Sequence, residues 1–99
     1  MIVGRKINFK QMEKMLTKGA KLFDVRSPVE FRDGTLPNAV NLAVRQISSL
    51  LHKVPRTSSV IFFGSDDQLT IVLNYVHQMG FLNILILDLR TTPLHTKPA

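Results

Sequence analysis

The stretch Leu22-Phe23-Asp24-Val25-Arg26-Ser27-Pro28-Val29-Glu30-Phe31, continued by Gly34-Thr35-Leu36-Pro37-Asn38-Ala39-Val40-Asn41-Leu42, decides the fold. Lys21 to Val25 is a short apolar run bounded by turn signals, the pattern of a strand buried on both faces. Ser27 can cap a short helix with Pro28 at its first position and Glu30 at its third. That helix should end near Asp33-Gly34, because glycine tolerates the left-handed backbone of a turn. Pro37 stiffens the turn before a second short strand, Val40-Asn41-Leu42. An Asp at the end of a buried strand can accept backbone N–H bonds from the next turn. Arg26 and Glu30, close across one short helix, can form a charge-assisted pair. The plain expectation for Asp24, Arg26, Glu30 and Pro37 is that they hold this loop in shape, since a catalytic role would need a nucleophile nearby.

On the N-terminal side, Asn8 and Gln11 form a capping-box pattern, and Phe9, Met12 and Leu16 follow at helical spacing. A helix from about Phe9 to Lys18, stopped by Gly19, is expected. On the C-terminal side, Val44, Ile47 and Leu51 share one face of a helix running to about His52 and stopping before Pro55. Ser59 to Phe63 is the strongest strand, followed by the polar turn Gly64-Ser65-Asp66-Asp67. Gln68 to Met79 reads as a helix closed by Gly80, and Asn83 to Leu87 as another aliphatic strand. Strands apolar on both faces that alternate with helices imply an α/β sandwich with a mostly parallel central sheet. Residues 1–90 are expected to form one domain, and 91–99, which show no pattern, a mobile tail.

Composition narrows the function. Ninety-nine residues support one core. No apolar run is long enough to span a bilayer, and the N-terminal residues lack the stretch a signal peptide needs, so a soluble, cytoplasmic protein is expected. The absence of cysteine rules out disulfides, thiolate metal sites and cysteine nucleophiles in this sequence. Thirteen Lys and Arg face seven Asp and Glu, for a net charge of +6. Arg5, Lys6, Lys10, Lys14, Lys18 and Lys21 lie in residues 1–22 against Glu13 alone, so nearly all of the excess sits at the N-terminal end.

The quoted stretch resembles the signature of the rhodanese family, in which a strand ending Asp-Val-Arg leads into a short helix carrying Glu-(Tyr/Phe). A Gly-His-Ile-Pro-Gly-Ala-like turn and a strand ending near an Asn come next. The resemblance covers about Ile7 to Leu89 and implies a three-layer sandwich with helices on both faces of the sheet. It departs from the family at the end, where Asp88-Leu89-Arg90-Thr91-Thr92 replaces Glu-Gly-Gly and a helix with Trp.

The resemblance also implies where sulfur chemistry would occur. The family's Cys ends the central strand, where loop N–H groups and the next helix's N-terminus stabilise a thiolate or persulfide. That position falls at Gly64 when the strand is the anchor and at Phe63 when Gly80-Phe81 is, and neither is a nucleophile. The family's loop cation would fall at Gln68 or Leu69. Asp66 and Asp67 would repel phosphate, thiosulfate or persulfide. The segment Gly64, Ser65, Asp66, Asp67, Gln68, Leu69 is therefore a degenerate active-site loop, and a solvated turn in which Ser65 or an Asp caps the next helix is the simplest reading. His52, His77 and His95 form no motif beside Ser65, and no metal or cofactor is implied.

Two functions remain as expectations. One is a catalytically silent rhodanese-like module that binds a protein partner or a second copy of itself. Leu69, Ile71 and Tyr75 lie on a helical face different from Val72, Val76 and Met79, and either the first set is exposed or both faces are buried. The other is binding of nucleic acid or an acidic surface by the stripe Lys10, Lys14 and Lys18, extended by Arg5, Lys6 and Lys21. No aromatic residue interleaves this stripe to stack bases, and an ordinary solvated face also explains it.

Overall fold

The computed structural model describes residues 4–91, with Thr91 described by its backbone alone. Its elements are β1 (Arg5–Ile7), α1 (Phe9–Thr17), β2 (Lys21–Asp24), α2 (Pro28–Asp33), β3 (Val40–Asn41), α3 (Ile47–Leu51), β4 (Ser59–Phe63), α4 (Asp66–Gln78) and β5 (Asn83–Leu87). Short 3-10 turns cover Val44–Gln46 and Leu89–Thr91. The strands form one sheet in the order β1-β5-β4-β2-β3, and every described pair is parallel.

Alternation along each strand builds two cores. Phe23, Val60, Phe62, Ile84 and Ile86 point to one face, where Ile47 and Leu51 of α3 and Leu69, Val72, Leu73 and Val76 of α4 cover them. Leu22, Ile61, Phe63, Leu85, Leu87 and Ile7 point to the other, beneath Met12 and the half-buried Phe9, Met15 and Leu16 of α1. The sheet is thus buried on both sides, which explains why its inner strands read as unbroken apolar runs.

Most local stop and start signals act as expected, but α2 ends at Asp33 without the left-handed glycine expected there: Gly34 is extended, with φ 163°. The Gln11 N–H donates to Asn8 Oδ1 at 2.9 Å and the Asn8 N–H to Gln11 Oε1 at 2.8 Å. Gly19 and Gly80, just past α1 and α4, have φ of 98° and 93°. In the turn after α2 the Ala39 N–H donates to Leu36 O, with Pro37 and then Asn38 at its two central positions. Asn38 has φ 68°, the arrangement of a type II turn.

Several elements differ from the sequence expectation. The segment expected as one helix from Val44 to His52 is a 3-10 turn that tightens into α3. The strand expected over Val40–Leu42 has two residues. The helix expected from Gln68 begins at Asp66, so the acidic pair belongs to its first turn and not to a loop. Strand β1 was not expected at all, because Arg5 and Lys6 are exposed and only Ile7 is buried, leaving no local apolar pattern to read. The first residue of the expected tail, Thr91, closes the last 3-10 turn, and the rest of it lies outside the described residues.

Arg56 also escaped the sequence reading. Its Nε donates to Met79 O at 2.8 Å and its Nη1 to Val54 O at 3.1 Å and Leu51 O at 3.3 Å. The guanidinium lies 4.9 Å from the centre of the Phe81 ring. One side chain thereby satisfies carbonyls left over at the ends of α3 and α4.

Candidate functional site

After β2 the chain passes through α2 to Leu36 and Ala39 on the α1 face, whereas after β4 it enters α4 on the opposite face. β2 and β4 are neighbours, so their carboxyl ends frame the divergence point where open parallel sheets commonly bind ligands. The candidate site is therefore the crevice between Asp24–Ser27 and Gly64–Leu69.

One wall is built on Asp24, whose side chain has no exposed surface. Its Oδ1 accepts from the Arg26 N–H at 2.9 Å and Arg26 Nε at 3.0 Å, and its Oδ2 from Arg26 Nη2 at 2.8 Å and Thr35 Oγ1 at 2.8 Å. Arg26 Nη2 also donates to Gly34 O. The Asn41 side chain donates to Asp24 O at 3.0 Å and Arg26 O at 2.9 Å, locking β3 against the loop. The pairing with Asp24 raises the Arg26 pKa above its usual value, so this cation stays charged and committed. The expected Arg26–Glu30 ion pair is replaced by Arg26–Asp24, because Asp24 is adjacent, buried and able to take a two-pronged contact.

Glu30 serves the start of α2 instead. Its Oε1 accepts from the Ser27 N–H at 3.1 Å while Ser27 Oγ accepts from the Glu30 N–H at 3.2 Å. These bonds, led by the one from the Ser27 backbone and followed by that from Gln68, hold the Glu30 carboxyl below its ordinary range.

The other wall is short. Only Gly64 and Ser65 separate β4 from α4, and Ser65 caps the helix. Its N–H donates to Gln68 Oε1 at 3.1 Å and its Oγ accepts from the Gln68 N–H at 3.3 Å. Gln68 Nε2 then reaches across the crevice to Glu30 Oε1 at 3.4 Å. Two capping boxes, one on each wall, are thus joined by Gln68, which stands where the resemblance put the family's loop cation.

The structure also separates the two positions for the family's nucleophile. Phe63 is fully buried in the core beneath α1, turned away from the crevice. Gly64 faces it, but a Cβ at that position would lie 2.6 Å from Val25 Cγ2 and 3.2 Å from Gln68 Oε1. Val25 is β-branched and buried, so its methyl has no flexible stem on which to swing aside. The loop is therefore closed over the position that a nucleophilic side chain would occupy.

Of the remaining sequence candidates, Asp66, Asp67 and Gln68 lie in the first turn of α4, and Leu69 is buried against the sheet. Leu69 does not join Ile71 and Tyr75, which are exposed. Lys10, Lys14 and Lys18 are exposed along α1. Arg5 and Lys6 do not extend that stripe together, because successive strand residues point to opposite faces. Lys6 therefore faces away from the α1 side, onto which Ile7 points. His52 and His77 are exposed and separate, His95 lies outside the described residues, and no three metal-ligating side chains come together among the described residues.

Comparison with known proteins agrees with this geometry. A family model described as rhodanese-like domain matches residues 8–89, and the chain belongs to that family. It is similar to human thiosulfate:glutathione sulfurtransferase, with 31% identity over 64 residues. The match takes in 64% of this chain and 56% of the relative, so it spans little more than half of that protein. The structure of human single-domain sulfurtransferase TSTD1 superimposes with a TM-score of 0.70 at 22% identity, covering 86% of this chain and 89% of the other. The Alr3790 protein of Anabaena sp. gives a TM-score of 0.72 at 17% identity, covering 83% and 78%. At such identities the solved structures speak for the fold alone.

If Gly64 is held by lack of space, Gly64→Ala destabilises the domain by about 1–3 kcal/mol, the usual cost of overpacking. Pairing it with Val25→Ala should recover part of the cost of the glycine change. Urea unfolding of the four proteins measures both terms; strict additivity, or a harmless Gly64→Ala, would contradict the contact.

Proposed function

We propose that this rhodanese-like domain is inactive as a sulfurtransferase and acts as a protein-interaction or regulatory module. The observation that carries the first part is Gly64. The chain has no thiolate to accept sulfur, and the position facing the crevice has no room for a side chain. Ser65 offers no replacement, since its Oγ caps α4 and no described histidine stands beside it as a base. The activity named for the human relative is not carried over for these reasons.

Support for an interaction role comes from α4. Ile71 and Tyr75, one turn apart, are 44% and 49% exposed, and Leu82, just past the end of the helix, is 80% exposed. Exposed large apolar side chains one turn apart on a helix, as Ile71 and Tyr75 are, are a common mark of a protein contact. The polyanion alternative draws less support, because Lys6 leaves the basic stripe of α1 for the other face.

The chain is expected to show no transfer of sulfur from thiosulfate to cyanide or glutathione above the buffer blank, and turnover that survives repurification would contradict inactivity. For the interaction role, immobilised chain should retain a partner that the Ile71→Lys/Tyr75→Lys variant binds at least about tenfold more weakly, the loss of a buried contact residue. Because both positions are exposed, the variant should unfold within about 0.5 kcal/mol of the parent. Equal retention by both proteins would remove this surface from the proposal.

A further inference from the structure

On the β5 side of Gly64, a depression of about 320 Å³ opens at the carboxyl ends of β4, β5 and β1, with Gly64, Asp66 and Leu69 in its lining. Its size falls at the lower end of small-molecule pockets. Its lining includes Leu69 and Ile86, which are 7% and 8% exposed and form an apolar floor. Lys6 reaches it from β1, Asp66 from the first turn of α4, and Asp88 and Arg90 from the segment after β5.

The charges here are ordered. Arg90 donates to Asp88 through Nε at 3.1 Å and Nη2 at 3.0 Å, and its backbone N–H donates to Asp88 Oδ1 at 3.0 Å. This fixes the guanidinium at the edge of the depression. The bonds from Arg90, with a smaller contribution from the Lys6 charge, hold Asp88 ionised down to a pKa of about 2. Among the described residues, the β5–β1 side of the depression carries Lys6 and Arg90 around Asp88, while Asp66 places a negative charge on the α4 side. A simple anion would meet Asp66, and a simple cation would meet Lys6 and Arg90. A molecule carrying both charges on a short apolar body satisfies both sides and covers the floor.

We propose that this depression binds a small zwitterion, a free α-amino acid with an apolar side chain. Its carboxylate lies toward Lys6 and Arg90, its ammonium toward Asp66, and its side chain on Leu69 and Ile86. This site shares Gly64, Asp66 and Leu69 with the candidate crevice but uses β5 and β1 in place of the β2 wall, and it asks nothing of sulfur chemistry.

The test is an amide NMR titration of the whole chain with L-leucine, alongside N-acetyl-L-leucine, which lacks the ammonium, and L-leucinamide, which lacks the carboxylate. Leucine is expected to shift the resonances of Lys6, Asp66, Leu69 and Arg90. Each blocked analogue should bind about tenfold more weakly, as for the loss of one charge-assisted hydrogen bond. Lys6→Gln and Asp66→Asn should each weaken leucine binding by a similar factor, the variants' own spectra reporting that they are folded. No shifts at these residues with leucine at tens of millimolar, equal binding of the blocked analogues, or unchanged binding by both variants would overturn the proposal.

Discussion

The loop at the carboxyl end of the sheet depends on a carboxylate with no contact with water. Burying the Asp24 charge would be prohibitive without compensation, and the compensation comes from four residues. Arg26 gives its backbone and guanidinium, and Thr35 its hydroxyl, to the carboxylate. Gly34 takes the second bond of the Arg26 Nη2, and Asn41 holds the surrounding main chain. Because each of these groups is committed to the others, the end of β2, the start of α2, the following turn and β3 form one unit. Removing one partner of such a buried pair typically costs about 3–5 kcal/mol, so the motif can be explained by stability without invoking catalysis.

Much of this was legible in the sequence because the signals are local. Ser27 with Glu30 and Asn8 with Gln11 act within one helical turn, and Gly19 and Gly80 mark helix ends through their own backbone conformations. The inner strands could be recognised because burial on both faces leaves them apolar throughout. Elements whose stability comes from distant partners were harder to see. β1 is three residues long with two charges, and pairing with β5 is what makes it a strand. Arg56 looks like any surface cation until α3 and α4 bring three carbonyls to it. The choice of Asp24 over Glu30 as the partner of Arg26 depends on the side-chain packing of a buried loop, which residue spacing does not report.

At the candidate site the sequence supplied the absence of a nucleophile, and the structure supplied its setting. Aligning by the strand or by the later Gly-Phe gave two positions, Gly64 and Phe63, and only the fold distinguishes a residue facing the crevice from one buried beneath α1. The closeness of Val25 to Gly64 joins strands from separate parts of the chain and has no sequence signature. Gln68 could be read as a lost loop cation, yet its carboxamide links the caps of α2 and α4. The site is thus closed by packing and hydrogen bonds as well as lacking its cysteine.

That distinction is open to a direct measurement. Gly64→Cys restores a thiol where the strand alignment places the family's nucleophile, and mass spectrometry after incubation with thiosulfate reports whether the thiol takes up sulfur. With Val25 and Gln68 occupying the space around it, the variant is expected to remain unmodified under conditions that load an active family member. Stoichiometric persulfide on the folded variant would contradict closure and would show that the cysteine alone had been lost.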